Sequence, residues 1–146
     1  MYTKLTFAAV ASTLIAQSAL ADTADTILAD QPFKSTPWAN GDYFTVTLEL
    51  DQCLLSKTVT EFDKNDTPGD SSRLDIDLSN IDLDRLELVA DAVTLIASEG
   101  SSVICTDIVG EDCVVEERPG EQISVPASVD GATYLKAFEA HIAACQ

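Results

Sequence analysis

The chain is poor in the residues that most often carry chemistry. It has one histidine, His141, one tryptophan, Trp38, and eight lysines and arginines against 25 aspartates and glutamates. With a single histidine, a Ser-His-Asp triad would have to recruit His141 from the last turns of the chain, and no Gly-x-Ser-x-Gly elbow accompanies it. No Cys-x-x-Cys pair, haem-attachment motif or glycine-rich phosphate loop occurs. Few aromatics leave little to line a sugar cleft. Acids are so numerous that no catalytic pair can be selected among them. The expectation is a protein that is not an enzyme and carries no cofactor, with a small carboxylate-dependent envelope hydrolase as a minor alternative.

The shortage of cations matters as much. A net charge of −17 repels nucleic acid and anionic lipid surfaces and accelerates encounter with a cationic protein. The same acidity serves solubility, so the partner is an expectation of class alone.

Residues 1–21 read as a cleaved secretory signal peptide. Lys4 precedes an apolar run from Leu5 to Ile15, and Ala19-Leu20-Ala21 supplies the small residues of a cleavage site before Asp22. The run is roughly half the ~20 residues that a membrane span needs, and no later stretch is long and apolar enough. Removal of this segment, which holds one lysine and no acid, makes the remainder one unit more negative. A periplasmic or secreted product with no membrane span in its mature chain is expected.

In an oxidising compartment four cysteines read as two disulfides. Cys105 and Cys113 flank the turn signal Val109-Gly110-Glu111-Asp112 and can face each other across a hairpin, which leaves Cys53 for Cys145. His141 lies one helical turn before Cys145, a spacing that permits a Cys-His nucleophile pair only if Cys145 is reduced.

Two acidic segments are candidates for calcium. Asp63, Asn65, Asp66 and Asp70 lie in a stretch from Asp63 to Ser72 whose composition is that of a loop. Asp75, Asp77, Asp82 and Asp84 only resemble an EF-hand loop: Asn80 stands where glycine is required and Leu86 where a carboxylate is. Calcium binding or calcium stabilisation of an envelope or adhesion protein is therefore a second functional expectation, with no ligand set assigned.

The rest is fold. Residues 22–42 read as an N-terminal arm or short helix, and residues 43–146 as a single disulfide-stabilised β domain. Phe44, Val46, Leu48 and Leu50 alternate with polar neighbours, as do Leu74, Ile76 and Leu78. Between them, Cys53 to Phe62 has its alternation muddied by Lys57, which suggests a bulge or an edge position. Shorter runs follow around Leu86–Val89, Val93–Ala97, Ser102–Val109, Cys113–Val115 and Gln122–Val125, with Glu99-Gly100 read as a hairpin turn. Leu135, Phe138, Ile142 and Cys145 then recur at helical spacing behind a cap at Ser128 or Asp130. The class is mainly β (α+β): an antiparallel barrel or sandwich of about seven or eight strands with one C-terminal amphipathic helix packed on it. This element order resembles the pleckstrin-homology-like architecture, which implies a barrel plugged by its terminal helix and, by itself, no function. The functional expectation is an exported, acidic, disulfide-stabilised binding module.

Overall fold

The computed structural model describes residues 20–99, 103–107 and 115–146, with side chains described throughout except at 103–107 and 115–117. Most of the expected signal peptide, and Cys113 with the side chain of Cys105, lie outside the described residues. The architecture is α+β and sandwich-like, and it is not a closed barrel. Helix α1 covers residues 20–27. Strands β1 (Phe33–Lys34), β2 (Tyr43–Asp51), β3 (Leu54–Phe62) and β4 (Pro68–Asp77) follow, then two 3-10 turns, Leu78–Asn80 and Leu83–Arg85. Next come β5 (Glu87–Val89), β6 (Ala92–Ile96), β7 (Val103–Asp107), β8 (Val115–Arg118), β9 (Gly120–Ser124) and helix α2 (Gly131–Cys145).

All pairings are antiparallel. A six-stranded sheet runs β1-β2-β3-β4-β7-β8, and a three-stranded sheet runs β5-β6-β9. The long meander β2-β3-β4 follows from the alternation: Leu50 lies opposite Leu55, and Leu55 opposite Ile76, so one face of the large sheet is apolar. That face meets Val93, Leu95 and Ile123 of the small sheet and Tyr134, Phe138 and Ile142 of α2, all buried, in one core. Asp130 caps α2 by accepting from the Thr133 N–H at 3.0 Å. Ile27 of α1 is fully buried in the same core, and its carbonyl accepts from the Tyr134 hydroxyl at 3.0 Å, so the N-terminal segment is packed into the fold.

Three sequence-based expectations change. The segment Asp63 to Ser72 is a loop only to Thr67; Pro68 opens β4, where it has no ladder bond to lose, and Ser71 and Ser72 pair with Thr60 and Val59. Strand β3 is central between β2 and β4, not an edge, and its register irregularity falls between Thr60 and Phe62, away from Lys57. Strands β6 and β7 are not hairpin partners across Glu99-Gly100: β6 belongs to the small sheet and β7 pairs with β4.

The return crossing, from β8 to β9, passes through Pro119 alone. Glycine is required immediately after it, because a Cβ on Gly120 would sit against the Leu95 carbonyl oxygen, well inside contact distance.

Candidate functional site

The sheets are not pressed together along their whole length. Beside the core, a cleft of about 700 Å³ opens between them. One wall is the apolar face of the large sheet, with Phe44, Val46 and Leu48 from β2 and Val59 from β3. The opposite wall is the end of β9 and the segment leading to α2: Ile123, Val125, Pro126 and Val129. Its volume and mainly apolar lining are those of a small-ligand or peptide seat.

Turns with constrained backbones shape its rim. Asp30 has φ 56° and Ala90 φ 52°, left-handed conformations that non-glycine residues seldom adopt. Asp30 follows α1 and accepts from the Ser128 N–H at 2.9 Å, which ties the α1 end to the segment before α2. Ala90 and Asp91 form the two-residue turn between β5 and β6. Both carboxylates, Asp30 and Asp91, are exposed where they line the cleft. The Gln31 side chain turns to the β2 edge, its Oε1 accepting from the Leu48 N–H at 2.9 Å.

Among the described residues the one cation lining the cleft is Lys57, and it is already paired. Its ammonium donates to Glu121 Oε1 at 2.7 Å and to the Gln122 carbonyl at 3.2 Å. Glu121 also lies 3.6 Å from Arg118. Lys57 sits opposite Leu48 and Leu74 on the inward face of β3, and Glu121 opposite Leu95 in β9. The pair therefore joins the sheets from inside. Its signal in the sequence is a lone lysine on the inward parity of a strand, which alternation alone shows only as a broken pattern.

No family model, curated protein or solved structure matches this chain. The site's chemistry has to be read from its own residues.

The calcium candidates do not converge on one point. Asp63 Oδ1 accepts the N–H groups of Asn65 at 2.8 Å and Thr67 at 2.9 Å, and these bonds hold its carboxyl below the ordinary carboxylate value. Asp66 accepts from the Tyr43 hydroxyl at 2.6 Å, raising the phenol. Asp70 stands in β4. Asp77 and Asp82 cap the two 3-10 turns through Ser79 and Asp84 N–H groups, and Asp75 binds Ser56 and Arg73. Among the described residues no group of three or more histidine, cysteine, aspartate or glutamate side chains could hold a metal ion. Asp63 instead borders a smaller, open hollow of about 280 Å³ with Trp38, Glu61 and Phe62.

Cys53 and Cys145 form a disulfide with Cα atoms 5.7 Å apart, pinning the end of α2 to the turn between β2 and β3. Cys145 is thus no nucleophile. His141 is buried and structural: Nε2 donates to the Gln52 carbonyl at 2.6 Å, and Nδ1 lies 2.8 Å from Thr23 Oγ1 of α1. Because a carbonyl only accepts, the hydrogen is on Nε2. Gln52, at φ 53°, presents that carbonyl from the left-handed turn. Tyr134, also buried, has its phenol pushed up by desolvation.

Among the described residues no helix is long and apolar enough to cross a membrane.

Proposed function

We propose that this protein is an exported binding module, braced by disulfide chemistry, that captures a cationic protein partner in the cleft between its sheets. The observation that carries this reading is the cleft itself: a concave apolar seat whose rim bears two exposed carboxylates, Asp30 and Asp91, and whose lone lysine is neutralised by Glu121. An anionic amphiphile would meet the rim carboxylates and the −17 charge of the chain. A basic segment with apolar side chains meets complementary charge at the rim and buries its apolar part within. Export is supported by the leader-like residues 1–21 and by the Cys53–Cys145 bridge, which suits an oxidising compartment.

The test is a paired titration. A blocked peptide alternating lysine and valine is compared with one alternating glutamate and valine, each followed by NMR shifts of the oxidised protein. The lysine peptide should move the resonances of Phe44, Val46 and Val59, while the glutamate peptide leaves them in place. Lysine-peptide shifts scattered over the acidic surface, with the cleft unmoved, would reject the reading.

A further inference from the structure

One wall of the cleft is the unpaired edge of a strand. The Ala97 N–H donates to the Pro119 carbonyl and the Val125 N–H to the Asp91 carbonyl, both at 2.8 Å. Between these bonds Leu95 faces Glu121 and Val93 faces Ile123. In an antiparallel pair, residues that exchange hydrogen bonds alternate with residues that do not. The N–H and C=O groups of Gln122 and Ser124 therefore point away from β6, to the other side of β9. Strand β9 ends its sheet, so among the described residues no strand occupies that side.

This edge faces the cleft, because Lys57, which lines the cleft, reaches the Gln122 carbonyl. Among the described residues the N–H of Gln122 and both the N–H and C=O of Ser124 have no hydrogen-bond partner. Pro126, which lacks an N–H, bounds this stretch on one side, and Lys57 bounds it on the other.

We infer that the partner enters as an extended peptide that pairs with β9 as an added strand, taking the open groups of Gln122 and Ser124. This rests on the proposed cleft reading and specifies its occupant. Main-chain bonds to a free edge supply affinity in this mode, and alternate side chains supply specificity. Successive side chains of an added strand point to opposite sides. One set enters the cleft toward Phe44 and Val46; the other remains at the rim, where Asp30 and Asp91 select basic residues. An acyl chain filling the same space would cover the Ser124 groups without bonding them, which is unfavourable.

The experiment uses the same lysine-valine peptide, a version N-methylated at alternate residues in each of the two registers, and the variants Ser124→Pro and Ser124→Ala. S124P deletes an edge N–H that the β6–β9 ladder does not use; S124A retains it. The parent peptide should slow hydrogen exchange at the Gln122 and Ser124 amides. N-methylation in one register and S124P should each weaken binding by about tenfold, the loss of one to two hydrogen bonds, and S124A should bind like the natural protein. If S124P fails to fold, the N-methylated peptides on the natural protein still decide.

Cleft binding that is indifferent to N-methylation in both registers overturns strand addition and leaves the cleft reading standing. No cleft binding by any of these peptides overturns both. Gln122 and Ser124 amides already protected without peptide, in a dimer, would assign the edge to a second copy of the chain and overturn the peptide.

Discussion

The Lys57 ammonium and the Glu121 carboxylate meet at 2.7 Å in the gap between the sheets, with their side chains only 20% and 17% exposed. Such a pair is costly to halve and cheaper to replace whole. Lys57→Met should destabilise the fold by about 2 kcal/mol, since among the described residues Glu121 then keeps only the longer contact to Arg118. The double change Lys57→Met with Glu121→Leu should recover part of that loss. Urea unfolding of the two single variants and the double gives the coupling directly; strict additivity would mean that the pair does not tie the sheets.

The Cys53–Cys145 bridge closes a separation of 92 residues. On the chain-entropy account, replacing both cysteines with serine should cost about 4–5 kcal/mol. His141 makes a second tie at the same place, between α2, α1 and the Gln52 turn. His141→Leu should add about 1–3 kcal/mol by leaving the Gln52 carbonyl unpaired. Denaturant midpoints of the oxidised natural protein and both variants test this, and a His141→Leu midpoint equal to the natural one would show that the tie is not structural.

Acid should unfold the protein from below the ordinary carboxylate range. Burial pushes the Asp75 carboxyl up, but hydrogen bonds from Ser56 and Arg73 and the guanidinium charge hold it lower on balance. Asp130 is lowered by the Thr133 hydroxyl and N–H, and Asp63 by the N–H groups of Thr67 and Asn65. A carboxyl that is lower in the folded state contributes stability that is complete above the unfolded value, near 3.8, and vanishes as the pH falls through the folded one. Asp130→Asn keeps a good cap and removes one such titration. Its melting temperature should lie below the natural protein's at neutral pH, where the carboxylate contributes, and converge with it below about pH 4, where that contribution is lost. Parallel acid limbs for the two proteins would contradict the assignment.

Much of the fold was legible because it depends on local pattern. The alternation at Phe44–Leu50 and Leu74–Ile76 and the helical spacing from Leu135 to Cys145 each indicate which side of an element turns inward; the structure buries Leu48, Leu74, Ile76, Phe138 and Ile142 there, while Phe44 and Val46 stay half-buried as a wall of the cleft. The Cys53–Cys145 pairing followed by elimination. What periodicity could not convey was sheet membership. Both β6 and β7 alternate like hairpin strands, yet the chain changes sheets between them, and only tertiary pairing decides that. Pro68 and Gly69 carry turn chemistry but lie in β4, because pairing with β3 overrides it. The cleft was illegible for a related reason: Asp30, Lys57, Asp91 and Ser124 are distant in sequence, and none belongs to a motif.

The measurement that tests the account most directly is amide hydrogen exchange at Ser124, with and without the lysine-valine peptide. Exchange should be rapid in the free protein, as expected of an open edge, and strongly slowed in the complex. Exchange at Ser124 that stays rapid at saturating peptide would contradict it.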